Sequence, residues 1–178
     1  KAMRSAGFEK IGISAEHGDQ EFLSDVIGKN LDLNEIVKSI ELAHEAGLMV
    51  HTNFMMGFPH EKEINRNRTK EFALSLDADS YSVSLAAPLP GTKMWDIVEK
   101  DNLFMPSFNV NRLVYDVVNI IPEDIEPANL YKLVTKLNKE LNAKAIEKRP
   151  HLNEYYKLVN AKKSKIGLDR KYSNKIDE

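Results

Sequence analysis

The sequence predicts an α/β fold built on a parallel sheet. Three apolar runs, 8–14, 48–56 and 79–86, have the length of strands. Each is followed by turn residues and then by an amphipathic stretch of helical spacing. Strand and helix alternating three times is the order that right-handed crossovers fold into a parallel sheet.

Phe8 to Ser14 (FEKIGIS) is expected as the first strand, with Ile11 and Ile13 on one face. Asp19 to Ile27 reads as a short helix. Asp32 to Ala46 reads as a stronger one, because Leu33, Ile36, Val37, Ile40 and Ala43 recur at helical spacing. It opens on Asp32-Leu33-Asn34-Glu35, a capping-box-like arrangement with Asp in place of Ser or Thr. It closes at Gly47, a residue type that tolerates the left-handed conformation at a helix end. Leu48 to Met56 (LMVHTNFMM) is mostly apolar, as in strands covered on both faces. Glu61 to Leu76 follows as a helix with Ile64, Phe72, Leu74 and Leu76 as its expected buried residues. In the third strand, Asp79 to Ala86, Tyr81, Val83 and Leu85 alternate with serines. Thr92 to Lys100 is expected to start a helix on the Pro-Gly-Thr turn.

After Asn102 the pattern changes. Leu103 to Asn109 is loop-like, Asn111 to Val118 reads as a further strand or an extended arm, and Pro122-Glu123-Asp124 as a turn. Pro127 to Lys148 is a long amphipathic helix with Leu130, Leu133, Val134, Leu137, Leu141 and Ile146 on its apolar stripe, ended by Pro150. His151 to Val159 is a candidate final helix. From Lys162 onward polar and charged residues dominate and fraying is expected.

The chain has 178 residues, enough for one ordinary core, with 42% hydrophobic and 29% charged residues. No apolar run approaches the ~20 residues that span a bilayer, and the opening segment does not read as a signal peptide; a cytoplasmic chain is expected, with no membrane partner. The chain opens on Lys1 and has its first Met at position 3, as a piece of a longer protein or a processed terminus would. It has no cysteine, which excludes disulfides and thiolate metal sites within it. The net charge of −2 divides into −8 over residues 1–125 and +6 over 126–178. A solvated helix face explains the basic half, and nucleic acid is not the expected partner, since aromatic and basic residues are not interleaved there.

Two strand-to-helix turns stand out: Met55-Met56-Gly57-Phe58-Pro59-His60-Glu61 and Ala87-Pro88-Leu89-Pro90-Gly91-Thr92. Such turns are where α/β folds place ligands, because the N–H groups that open the helix point outward unpaired. Together with Ala6-Gly7, Ile13-Ser14-Ala15-Glu16-His17-Gly18, Lys29 and Ala46-Gly47, in this order and spacing, they resemble the radical S-adenosylmethionine (radical SAM) superfamily. The nearest branch is the one with an N-terminal cobalamin-binding domain, which includes magnesium-protoporphyrin IX monomethyl ester oxidative cyclase-like proteins. His17 stands where that family has Ser, and His60 and Lys62 where it has Gly and Thr.

The resemblance implies a partial (β/α) barrel fragment, about three βα units of a TIM-like barrel over residues 1–105, with a helical extension and basic tail over 106–178. It implies an enzyme that uses a 4Fe-4S cluster to cleave S-adenosylmethionine (SAM) to a 5′-deoxyadenosyl radical, as an oxidoreductase or methyltransferase acting on a small-molecule substrate, with cobalamin as a further cofactor. The cluster's C-x3-C-x2-C loop follows the family's first strand, so its ligands are expected outside this chain, with the missing N-terminal half of the barrel, and the chain alone is expected to be inactive. The other reading is a non-catalytic α/β binding or interaction module.

The resemblance assigns SAM contacts to Glu16, Lys29, Met56, Gly57, Pro59, Ala86 and Pro88. Glu16 would accept from the ribose or amino end, against a solvated loop carboxylate. Lys29 would pair with the SAM carboxylate, against a surface Lys after Gly28. Met56, Gly57 and Pro59 would lie along the methionine and adenine moieties, against a tight turn with no ligand, and the backbone from Leu85 to Pro88 would pack adenine. Glu61 is expected as a carboxylate at a helix N-terminus. His51 and Asn53 share one strand face and either point at substrate or sit satisfied in the core. His17 and His60 lie at the strand-end face with no metal-ligand spacing around them. Half a barrel leaves the first strand with an open edge, so either a homo-oligomer through that edge or a tail that covers it is expected.

Overall fold

In the computed structural model, residues 1–111, 115–155 and 157 are described. A short helix, α1 (Ala2–Ser5), leads into β1 (Lys10–Glu16). The chain then runs through α2 (Gln20–Phe22) and a π-helical turn (Leu23–Ile27) to α3 (Leu33–Glu45), β2 (Met49–Met56), α4 (Glu63–Ser75), β3 (Ser80–Leu85), α5 (Lys93–Lys100) and α6 (Pro127–Lys148). The three strands form one parallel sheet in the order β1-β2-β3. This is the α/β class expected from the sequence. The predicted strands and long helices fall within two residues of the observed ones, and α6 agrees at both ends.

One face of the sheet carries the core. Ile11 and Ile13 of β1, Val50, Thr52 and Phe54 of β2, and Tyr81, Val83 and Leu85 of β3 lie in register on it. Ile36, Ile40 and Ala43 of α3, Ala73 of α4, and Leu130, Val134, Leu137, Leu141 and Ala145 of α6 close over them. Burial of this apolar surface is the main stabilising contribution to the fold.

The opposite face is polar and only partly covered. Ser14, His51, Asn53, Ser82 and Ser84 lie there in register, all intermediate or exposed. The apolar run Leu48 to Met56 therefore does not mark a strand covered on both sides: its burial alternates strictly, with Val50, Thr52, Phe54 and Met56 inward.

Three local expectations are corrected. Asp32 caps α3 by accepting from the Asn34 N–H at 2.8 Å, but Glu35 pairs with Lys38 instead of closing a capping box. Helix α4 buries Arg66, Thr69 and Ala73, while Ile64 is 58% exposed. The polar stripe turns inward because α4 packs on the loop that leaves β1, where the Gly18 N–H donates to Thr69 Oγ1 at 3.1 Å. Arg66 is buried because it donates to the Glu61 carbonyl and pairs with Asp124. The third concerns Asn111 to Val118, which falls partly on 112–114, outside the described residues. The described part forms no strand, and nearby Phe104 and Ile120 make an isolated antiparallel bridge. Helical backbone continues at 151–155 and 157, and the rest of the candidate final helix and the basic tail lie outside the described residues.

The free side of β3 is closed by a helix. Asn142 of α6 accepts from the Tyr81 N–H and donates to the Tyr81 carbonyl, both at 3.0 Å. One turn earlier, Asn138 does the same to Val83, at 2.8 and 2.6 Å. Two amides spaced four apart on one helix face thus satisfy the backbone groups a fourth strand would use.

Candidate functional site

Parallel strands bring their C-terminal ends to one edge, and the exits of β1, β2 and β3 all lie there. At the exit of β1 the register slips between Ser14 and Glu16, a β-bulge. Glu16 takes a left-handed φ of 64°, uncommon for a side chain with a Cβ. The His17 N–H folds back onto the Ala15 carbonyl at 2.7 Å. This kink turns the Glu16 carboxylate toward the Lys29 ammonium, 2.5 Å away. The Glu16 side chain is 12% exposed and that of Lys29 51%. Two residues assigned from sequence, thirteen apart, thus meet at the strand edge.

The exit of β2 is tighter. Gly57 takes a φ of 82°, a conformation that favours glycine, and a Cβ there would stand 3.0 Å from Leu130 Cδ2, which would have to give way. Pro59 is buried beside it. Met56 is 1% exposed and its side chain belongs to the core; its carbonyl accepts from the Ala86 N–H at 2.8 Å and so joins the exits of β2 and β3. Glu61 is not a carboxylate set on a helix dipole. It lies two residues before α4, is 1% exposed, and accepts from the Gly57 N–H at 2.6 Å through Oε2. Its Oε1 lies 3.1 Å from Nε2 of His17, which is fully buried. The Asp19 N–H donates to His17 Nδ1 at 3.1 Å, so the imidazole proton sits on Nε2 and is given to Glu61. His17 stacks on Phe22 at 4.6 Å and meets the edge of Phe58 at 5.8 Å.

At the exit of β3, Ala86 and Pro88 are buried. The Ala86 carbonyl accepts from Asn119 Nδ2 at 3.2 Å. Ala86 shares a second apolar cluster with Phe22, Phe58, Val98 and Ile120, which underlies the strand exits. On the polar sheet face, His51 bridges Ser80 Oγ at 2.7 Å and Ser82 Oγ at 3.2 Å, and Ser82 donates to Asn53 Oδ1 at 2.7 Å. His51 is half-buried on the face away from the helices, not in the core.

His60 lies apart from His17. It is exposed, with a φ of 60°, and sits 2.8 Å from Asp101 and 3.5 Å from Glu123, tying the turn after β2 to the end of α5 and to the loop before α6. Among the described residues no group of three or more His, Asp or Glu is arranged to hold a metal ion. No described helix is long and apolar enough to cross a membrane.

The electrostatics brace the same loops. Burial disfavours the Asp19 carboxylate. Hydrogen bonds from Asn65, Arg68 and the Phe22 N–H outweigh that and hold its carboxyl below the usual range. Arg66 holds Asp124 low, helped by the Glu63 N–H, which fixes the first turn of α4. From sequence, the strand-exit positions of Glu16 and the Gly57 turn were legible, though not the pairing of Glu16 with Lys29. The His17–Glu61 contact, the Asp19 anchor and the buried Arg66 were not, because polar burial leaves no trace in apolar periodicity. The spacing 66, 69, 73 was the available signal, a helical stripe that happens to be mostly polar.

Residues 1–73 match the profile of the radical SAM superfamily. A methyltransferase of Pyrococcus horikoshii named as uncharacterized, PH0819, is 30% identical over 105 residues, which is 59% of this chain and 23% of that protein. A protein of Methanocaldococcus jannaschii named for methylthio transfer, MJ0865, is 33% identical over 84 residues, 47% of this chain and 18% of its own. The chain thus spans about a quarter or less of these curated relatives. Among solved structures, the archaeal Methanocaldococcus infernus Elp3 superposes with a TM-score of 0.53 at 16% identity, over 78% of this chain and 37% of that one. That likeness is one of fold and agrees with a partial barrel.

Proposed function

The chain belongs to the radical SAM superfamily, and we propose that its strand-exit edge is the SAM-binding side of a radical SAM enzyme, with residues 1–105 forming the later units of the barrel. The observation that carries this is the Glu16–Lys29 pair, held at 2.5 Å by a bulged, left-handed strand end beside the Gly57 turn. Paired opposite charges suit a zwitterionic ligand. Glu16 accepts from the amino group or the ribose hydroxyls, and Lys29 receives the carboxylate. Gly57, Pro59, Ala86 and Pro88 offer backbone to the methionine and adenine moieties, while Met56 contributes its fixed backbone and not its side chain.

The chain has no cysteine, so the thiolates of a 4Fe-4S cluster would come from residues outside it. SAM supplies a 5′-deoxyadenosyl radical when cleaved at such a cluster; the residues here orient it and exclude water. On this reading the chain alone does not cleave SAM. Of the activities open to the whole protein, methyl transfer to a small-molecule substrate is favoured over oxidative cyclisation, because both relatives above are named for methyl or methylthio transfer. Cobalamin belongs to that reading as the carrier in the related branch.

The test is a titration of the isotope-labelled chain with SAM, followed by amide resonances. SAM should shift Glu16, Gly57 and Ala86, and Glu16→Gln and Lys29→Met should each weaken binding about tenfold. Shifts elsewhere, or affinities unchanged by both substitutions, would sink the assignment.

A further inference from the structure

We infer that His17 and Glu61 form a buried clamp that locks the exits of β1 and β2 to each other, making His17 a positioning residue for the SAM-binding edge; this rests on the reading above for its ligand but not for its geometry. The two residues are 44 apart in sequence, and their turns are joined by the hydrogen bond from His17 Nε2 to Glu61 Oε1 at 3.1 Å, beside the edge contacts of His17 and Phe22 with Phe58. Each partner is anchored on its own side. His17 Nδ1 holds the Asp19 N–H in the loop leaving β1, and Glu61 Oε2 holds the Gly57 N–H in the turn leaving β2. Both side chains are fully shielded from solvent, so water cannot replace either bond.

The clamp also explains how Glu16 keeps its conformation. A non-glycine residue at φ 64° persists only where its neighbours over-determine it. On one side Glu16 follows a bulge in β1; on the other, His17 is pinned by the Ala15 carbonyl, the Asp19 N–H, Glu61 and the ring of Phe22. Loosening His17 frees the backbone of Glu16, and with it the carboxylate that meets Lys29. The same contact gives the Gly57 turn a fixed distance from Glu16, so a ligand spanning both meets a preset gap.

The experiment uses the whole chain, labelled for amide resonances, with Glu61→Gln, His17→Phe, their double variant and His17→Gln. His17→Phe keeps the ring stacked on Phe22 and loses both hydrogen bonds. His17→Gln keeps a donor toward Glu61. The clamp predicts reciprocal effects: Glu61→Gln shifts the amides of Glu16 and Asp19, and His17→Phe shifts that of Gly57. It also predicts SAM affinity about tenfold lower in each single variant, no further loss in the double variant, and partial rescue by His17→Gln. Lys38→Ala, far from both turns, serves as the control. Shifts confined to the mutated turn, or single losses that multiply in the double variant, would overturn the clamp. Reciprocal shifts in a chain that does not bind SAM would support the clamp and defeat the ligand reading, so the two fail separately.

Discussion

Gly18 sets how closely the loop leaving β1 can approach α4. A Cβ at this position would stand 2.5 Å from Thr69 Cα, 2.7 Å from the Arg68 carbonyl and 2.8 Å from Phe72 Cβ. Two of those three atoms are backbone, so the clash cannot be relieved by a rotamer change. Gly18→Ala should therefore cost about 1–3 kcal/mol in chemical denaturation, as overpacking does; an unchanged midpoint would show that the loop yields freely. In the sequence, Gly18 closes the motif that begins at Ile13, and the packing supplies the physical reason for a glycine there. The sequence placed His17 at the strand-end face and Glu61 at a helix N-terminus, and only their meeting across 44 residues makes them interior. The Gly57 turn was legible because Gly and Pro act locally.

At the level of elements, the legible parts were those whose signal lies within one segment. The apolar stripe of α6 marked the helix and Pro127 and Pro150 bounded it, and the Thr92 cap of α5, whose Oγ1 accepts from the Trp95 N–H at 3.2 Å, follows from a local rule. Helix α4 was placed, and Phe72, Leu74 and Leu76 pack in or against the core as expected, but Ile64 is exposed and the inward Arg66 and Thr69 were missed, since their partners come from other elements. The amide contacts of α6 with β3 were likewise invisible, because two Asn residues on a helix normally read as solvated. They make a measurable claim. Asn138→Ala removes the partner of the Val83 N–H and carbonyl at once, and should destabilise the chain by about 1–3 kcal/mol. A thermal midpoint equal to wild type would mean that water restores both bonds.

For the whole molecule, the anchored carboxylates make stability depend on pH. The Asp19 carboxyl is below its usual range in the folded chain, despite the opposing effect of burial, because Asn65, Arg68 and the Phe22 N–H stabilise the charged form. Asp124 is lowered by Arg66, and Asp77 by Lys148 and Arg149 against its own burial. A folded value below the unfolded one means that the stabilisation is present above the ordinary carboxylate range. It is lost as pH falls through the folded value. The thermal midpoint should thus decline on acidification from about pH 5 downward, and Asp19→Asn, which keeps a capping side chain but not the charge, should flatten that decline. An equally steep decline in Asp19→Asn would assign the acid sensitivity to other groups.

The Asn138 and Asn142 amides have a consequence for how this sheet can grow. A strand edge recruits neighbours through its row of unsatisfied N–H and C=O groups, and on β3 the amides occupy that row at Tyr81 and Val83. β1 lies at the opposite end of the sheet order. The sheet is therefore closed to pairing on its β3 side. A strand that joined this sheet would be expected beside β1, and a second copy docking through β3 would first have to displace both amides.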